Sequence, residues 1–242
     1  MDPPVHLEWL TWSLLLLVIW AIVWKLLKSH EIRKEMLVVS AWTSLLGLTE
    51  PLFVPAYWNP PSLFNLAQTT GFDIESIIFS FAIGGIGYAL YMALFPVGHE
   101  PSVPRDERID TRHAYHLPLL LTTPVIFISL LLGTHLNPIY DAIVAMSAGG
   151  IATWYCRPDL KQKMVVSAVL FLILYYLYFQ TLIAMFPGYV QRVWNMGAIS
   201  GIMITGVPVE ELIFAGAFGF YWSTVYEHFT WKKVPDRYIP GY

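Results

Sequence analysis

The feature that most constrains this chain is a succession of apolar runs, several close to the roughly 20 residues needed to cross a bilayer core. They are separated by short segments that carry most of the charge. Seven spans are predicted, at about 7–28, 36–56, 73–95, 117–133, 138–155, 164–186 and 207–229. Only 13% of the residues are charged, against about 25% in an ordinary soluble domain, and the mean hydropathy is +0.55. The expected class is therefore an all-α polytopic membrane protein, because a lone chain segment in lipid must satisfy its backbone groups internally. A net charge of -3 gives no basic face for nucleic acid. The single Cys156 leads one to expect no internal disulfides and no cysteine-based metal framework. Met1 to Glu8 is acidic where a cleavable signal peptide needs positive charge, so none is expected.

The basic residues set the expected orientation. Lys25, Lys28, Arg33 and Lys34 follow the first span, Arg105, Arg108 and Arg112 the third, Arg157, Lys161 and Lys163 the fifth, and Lys232, Lys233 and Arg237 the seventh. Arg192 alone falls on the other side. By the positive-inside rule the N-terminus is outside and the C-terminus cytoplasmic, in a multi-pass cell-membrane protein. Trp9, Trp12, Tyr57, Trp58, Trp194, Trp222 and Trp231 lie near the expected span ends and read as interfacial anchors. Pro51 and Pro55 beside Glu50 make the outer end of the second span irregular and partly polar.

Two acidic elements stand at the outer starts of spans three and seven: Gly71-Phe72-Asp73-Ile74-Glu75-Ser76-Ile77-Ile78-Phe79 and Gly206-Val207-Pro208-Val209-Glu210-Glu211-Leu212-Ile213-Phe214. Aligning them matches Gly71 with Gly206, Glu75 with Glu210, Phe79 with Phe214, Gly84 with Gly219 and Tyr91 with Tyr226. Upstream, Trp58-Asn59 matches Trp194-Asn195. The period is four spans, an even number, so both copies share one orientation and spans 1–3 and 5–7 read as parallel repeats. The expected organisation is residues 1–95 as the first three-helix repeat, 96–137 as cytoplasmic loop and linker helix, and 138–242 as the second repeat with its tail. An ionisable group at membrane depth is costly and marks a functional site. Glu210 and Glu211 diverge by about 100° on a helix, and Glu210, which matches Glu75, is expected to face the shared centre. Asp73 also suits a helix N-cap, and Glu50 can join the group from span two.

Other chemistry is less well supported. Asp106-Glu107-Arg108-Ile109-Asp110 has acidic spacing that suits magnesium on a diphosphate, but it lies among arginines and prolines and reads as a solvated loop. His113 and His116 form the one close histidine pair, too little for a histidine-rich metal centre. No lysine lies mid-span for a Schiff base, and no Gly-rich phosphate cradle is present. Gly84-Gly85-Ile86-Gly87 reads as close helix packing.

At the acid elements the chain resembles the integral-membrane lycopene cyclases, the small type found as two-subunit bacterial enzymes and as the cyclase half of fungal bifunctional proteins. That family has two three-helix units, each with a Pro-x-Glu-Glu-x-x-Phe-Phe-like motif. Pro208-Val209-Glu210-Glu211-Leu212-Ile213-Phe214 fits except that Ala215 replaces the last Phe. Asp73-Ile74-Glu75-Ser76-Ile77-Ile78-Phe79 lacks the Pro and the second Glu, so the chain resembles a divergent member. Thr49-Glu50-Pro51 stands where the family carries a further acid; the second half offers only Gln180 or Met185 there. The resemblance implies a redox-neutral isomerase that closes the ends of a linear carotenoid through a carbocation. Proton transfer would fall to Glu210 or Glu211, aided by Glu75, Glu50 and Asp73. Phe79, Phe214, Phe218 and Tyr221 would bind the polyene and shield the cation. No cofactor and no metal are expected. The implied partners are a lipophilic polyene and the lipid bilayer, and the sequence leaves a homo-oligomer open. Two alternatives stand beside it: a small-solute transporter with a 3+1+3 parallel repeat, and a prenyl-transferring membrane enzyme using Asp106 and Asp110.

Overall fold

Helices begin where the sequence supplies caps and end where it supplies breakers. In a computed structural model, residues 7–95, 99, 102–103, 108 and 115–234 are described. Within these, α1 spans Glu8–Leu26, α2 His30–Ser44, α3 Leu66–Thr70 and α4 Ile74–Leu94. They are followed by α5 (His116–Leu120), α6 (Thr122–Gly133), α7 (Pro138–Cys156) and α8 (Lys161–Met185). The last helices are α9 (Tyr189–Val193), α10 (Val209–Trp222) and α11 (Val225–Thr230). Arg105, Asp106, Glu107, Ile109, Asp110, Arg112, His113 and Arg237 lie outside the described residues.

Local chemistry accounts for the boundaries. Ser29 caps α2 by accepting from Ile32 N, Asp73 caps α4 by accepting from Ser76 N, and Asn137 caps α7 by accepting from Ile139 N. Pro138 sits in the first turn of α7, where its missing N–H costs nothing. Past Ser44, α2 tightens into a 3₁₀ stretch, Leu45–Leu52, that contains Gly47, Glu50 and Pro51. This is the irregular end of the second expected span that Pro51 and Pro55 lead one to expect. α10 is launched by a two-strand hairpin, β1 (Met203–Ile204) with β2 (Val207–Pro208). Its turn residues Thr205 and Gly206 have φ of 50° and 85°, the left-handed geometry a two-residue hairpin needs.

Among the described residues, three segments are long and apolar enough to cross a membrane: α1, α4, and α8 with its leading 3₁₀ turn (Pro158–Met185). The other expected spans coincide with α2, α6, α7 and the α10–α11 pair. α2, α6 and α10 are shorter, and α7 carries Asp141 in its first turn. α1 and α2 pack on α4, α7 and α8 pack on α10, and α6 packs on α7. Small residues permit these approaches. A methyl group on Gly84 would strike the Thr43 side chain of α2, and one on Gly219 would lie 2.8 Å from Ser167 O of α8. Gly87 abuts Phe218, so α4 also meets α10 closely. The glycine-rich run is thus a packing surface.

A buried ionic network closes the end of the bundle where α2 and α8 begin. Lys163 Nζ donates to Glu227 Oε1 at 2.6 Å and lies 4.7 Å over the Tyr88 ring. Tyr88 OH donates to Glu35 Oε2 at 2.6 Å. His99 bridges the two acids, 3.1 Å from Glu35 Oε2 and 3.1 Å from Glu227 Oε1. Lys232 pairs with both Glu31 and Glu35. Burial lowers the basicity of His99, but its hydrogen bonds to Glu227 and Glu35 outweigh that and raise its pKa. Lys163, expected in a basic flanking loop, is instead buried, because Glu227 neutralises it.

Candidate active site

The other end of the bundle gathers the acids. Here the 3₁₀ continuation of α2 finishes, and α4, α7 and α10 start. Two main-chain bonds tie the halves together: Asn59 N donates to Val193 O at 2.9 Å, and Asn195 N donates to Tyr57 O at 2.8 Å. Trp58 and Trp194 are thereby paired as an isolated antiparallel bridge. This bridge and the hairpin before α10 fix what surrounds its first turn.

Glu211 is buried and carries three side-chain hydrogen bonds. Its Oε1 accepts from Tyr57 OH at 2.6 Å and from Trp194 Nε1 at 2.9 Å, and its Oε2 accepts from Tyr175 OH at 2.7 Å. All three bonds are buried and draw on both halves of the chain. Each bond to a charged group contributes about 1.5–3 kcal/mol, which offsets the cost of burying a carboxyl group. A phenol can donate or accept, so the carboxyl can change protonation state while keeping both tyrosine contacts.

Glu210 turns elsewhere. Its Oε1 accepts from Tyr140 OH of α7 at 2.7 Å and from Ser200 N at 2.8 Å, both part-buried bonds. The sequence leads one to expect Glu210 to face the first half, but it is Glu211 that bonds Tyr57 of that half, while Glu210 bonds Tyr140 and Ser200. The Trp58–Trp194 bridge sets Tyr57 and Trp194 over the side of α10 that Glu211 occupies, and the helical offset sends Glu210 toward α7.

On the first-half side, Asp73 serves as the α4 cap, and Glu75 Oε1 accepts from Leu63 N at 2.7 Å. Glu50 lies beside Ser76, Trp58 and the charge of Asp73. Glu50 Oε1, Glu75 Oε2 and Glu210 Oε2 are buried without a hydrogen-bond partner among the described residues. Such an oxygen is a natural place for a proton or a polar ligand atom. Asp141, which the sequence reading did not single out, is a further buried acid at this end, next to Tyr140. Gln180 does not join them: it donates to Thr205 at the exposed hairpin tip. Met185, the other second-half alternative, is exposed.

Aromatic rings connect the two acid groups. A closed circuit runs from Trp194 to Trp58 (5.4 Å), Trp9 (4.7 Å), Trp12 (5.7 Å) and Phe179 (5.3 Å), then back to Trp194 (5.4 Å). Phe79 rests against Trp9 and Trp12 at 5.3 and 6.1 Å, and Tyr178 stacks on Trp12 at 4.4 Å. Four expected interfacial anchors, Trp9, Trp12, Tyr57 and Trp194, are therefore buried core residues. Partners for their polar atoms help hold three of them inside: Trp12 Nε1 donates to Tyr178 O, and Tyr57 and Trp194 bond Glu211. Of the expected polyene-binding residues, Phe79 packs against this circuit. Phe214, Phe218 and Tyr221 lie progressively further along α10, with Phe214 stacked on Phe218 and Phe218 near Phe171.

Residues 137–229 match the family model described as lycopene cyclase. Over this stretch, less than half of its length, the chain is similar to the lycopene cyclase family. No curated protein and no solved structure matches the chain. The matched stretch contains α7 through α10, with Tyr140, Tyr175, Trp194, Glu210 and Glu211. Tyr57 and the acids of the first half lie before it. The family match thus falls on one side of the bundle, and the hydrogen bond from Tyr57 joins the other side to it.

Proposed function

We propose that the protein is a carotenoid cyclase, a redox-neutral isomerase (intramolecular lyase) acting on lycopene-type ends. A carboxyl group of the acid cluster adds a proton to the terminal alkene, leaving a tertiary cation. The electron pair of an internal double bond attacks the cation and closes the ring. A neighbouring carboxylate removes a proton from the ring carbon chain, which restores one double bond and leaves the formula unchanged. Glu211 is the foremost candidate for proton transfer, with Glu210, Glu75, Glu50 and Asp73 around it. The observation that carries this reading is Glu211 itself, buried between both halves and bonded to Tyr57, Tyr175 and Trp194. The Trp–Phe circuit beside it offers π faces that stabilise a cation by about 0.5–2 kcal/mol each.

An apolar groove of about 410 Å³ between α1, α4 and α8 supports a lipophilic substrate. Its lining includes Ile19, Leu90, Leu174 and Tyr178, and Tyr178 is shared with the aromatic circuit. A polyene chain lying in this groove would direct one end toward Trp12.

The same reading takes α1, α2 and α4 as one three-helix repeat and α7, α8 and α10 as the second, with α6 between them, across seven spans. Three correspondences support it. Trp58 pairs with Trp194; Glu75 and Glu210 each accept from a main-chain N–H of the segment before their helix; Gly84 admits α2 and Gly219 admits α8. The proposed orientation has the acid end outside and the ionic end cytoplasmic.

The test is purified protein in liposomes with lycopene, in heavy water and with no added cofactor. Cyclic product carrying solvent deuterium in each new ring is expected. Ring formation that required a nicotinamide or flavin, or rings without deuterium, would refute the mechanism.

A further inference from the structure

His116, Cys156 and His228 come from three separate helices, α5, α7 and α11, and meet at the end of α7 remote from the acids. One ring nitrogen of each histidine and the Cys156 Sγ all lie within 4.8 Å of one another. His116 Nδ1 is 3.3 Å from Cys156 Sγ. Tetrahedral zinc with Zn–N near 2.0 Å and Zn–S near 2.3 Å places such a nitrogen and sulfur about 3.5 Å apart. The pair already sits at nearly that separation.

The surroundings orient the ligands. Thr153 Oγ1 donates its one proton to Gly149 O at 2.9 Å, so at 3.1 Å from His228 Nδ1 it accepts. That assigns the proton of neutral His228 to Nδ1 and the lone pair to Nε2, the arrangement by which an outer hydrogen bond prepares a histidine for a metal. The His116 ring is held flat against Trp231, 3.9 Å away, and edge-on to His228 at 4.8 Å. Cys156 and His228 are buried, and two imidazoles with one thiolate favour a borderline-soft ion over magnesium or calcium.

The geometry points to a transition-metal site, with Zn²⁺ as the occupant, formed by His116, Cys156 and His228. Among the described residues three ligands are present, and the fourth tetrahedral position goes to another donor. α7 is 19 residues long, which puts Cys156 roughly 28 Å from the start of that helix. The ion would therefore fasten α5 and α11 to the end of α7 and take no part in ring closure at the acids.

Tag-free protein in detergent, loaded with Zn²⁺ alone or Co²⁺ alone, tests this. Expected are about one zinc per chain after desalting and a thiolate-to-cobalt charge-transfer band. Cys156→Ala should lose both, and Thr153→Val should bind zinc about 10–100-fold more weakly while keeping the band at saturating cobalt. Two results would overturn the proposal: wild-type protein that binds neither ion, or a Cys156→Ala protein that binds both as wild type does. The wild-type measurement decides even where a variant fails to fold.

Discussion

At the scale of single residues, the central fact is that neighbouring carboxyls of one dipeptide have different environments. Glu211 is bonded by Tyr57, Tyr175 and Trp194, while Glu210 is held by Tyr140 and a main-chain N–H. Removing one phenol should cost about the value of a bond to a charged group. Tyr57→Phe and Tyr175→Phe are each expected to destabilise the protein by about 1.5–3 kcal/mol in thermal unfolding in detergent. Tyr140→Phe should cost less, because its bond to Glu210 is only part-buried. The sequence made the acids visible but not their assignment. Glu210 and Glu211 both fit a helix start, and which one faces inward depends on where Tyr57 lies, 154 residues from Glu211. The Asp73 cap was legible, because capping is a local matter of side chain and the next turn.

At the scale of elements, packing rests on places where helices touch backbone to backbone. A methyl group at Gly219 would meet Ser167 O at 2.8 Å and Ala168 Cα at 3.0 Å, whereas Gly216 in the same helix has open space. Gly219→Ala should therefore destabilise by about 1–3 kcal/mol through overpacking. Gly216→Ala should stabilise by up to about 1 kcal/mol through helix propensity. Thermal melts of the two variants side by side check this, and equal effects would contradict the packing. The helices themselves were legible from apolar run length, and the start of α4 from Asp73. The fate of the tryptophans was not. A Trp near a span end looks the same in sequence whether it faces lipid or the interior, and only the convergence of α1, α8 and the Trp58–Trp194 bridge buries Trp9 and Trp12. The same limit hid His116, Cys156 and His228, whose neighbours in sequence reveal nothing of their meeting.

At the scale of the whole molecule, the two ends of the bundle are chemically distinct. One holds the acid cluster and the aromatic circuit; the other is closed by Glu35, His99, Lys163, Glu227 and Lys232. The pKa of His99 is raised in the folded protein by Glu227 and Glu35, against the opposing effect of burial. Its contribution is thus complete below its unfolded value of about 6.5 and disappears as pH rises through the higher folded value. The gap in melting temperature between wild type and His99→Gln should shrink accordingly on raising the pH. A gap that widened with pH would mean that His99 is held neutral. The proposed orientation is checked by labelling from each side of intact cells. Lys28→Cys should react only from the cytoplasm and Gly197→Cys only from outside, both sites being exposed.

The most direct measurement is the pigment profile of lycopene-accumulating cells that express either wild-type protein or Glu211→Gln. Wild type is expected to convert lycopene to a cyclic carotenoid. Glu211→Gln, present in the membrane at equal amount, is expected to lower that conversion by about 100-fold or more, the scale of a lost general acid or base. Undiminished ring formation in Glu211→Gln, or no cyclic product from wild type, would contradict a cyclase built around this carboxyl group.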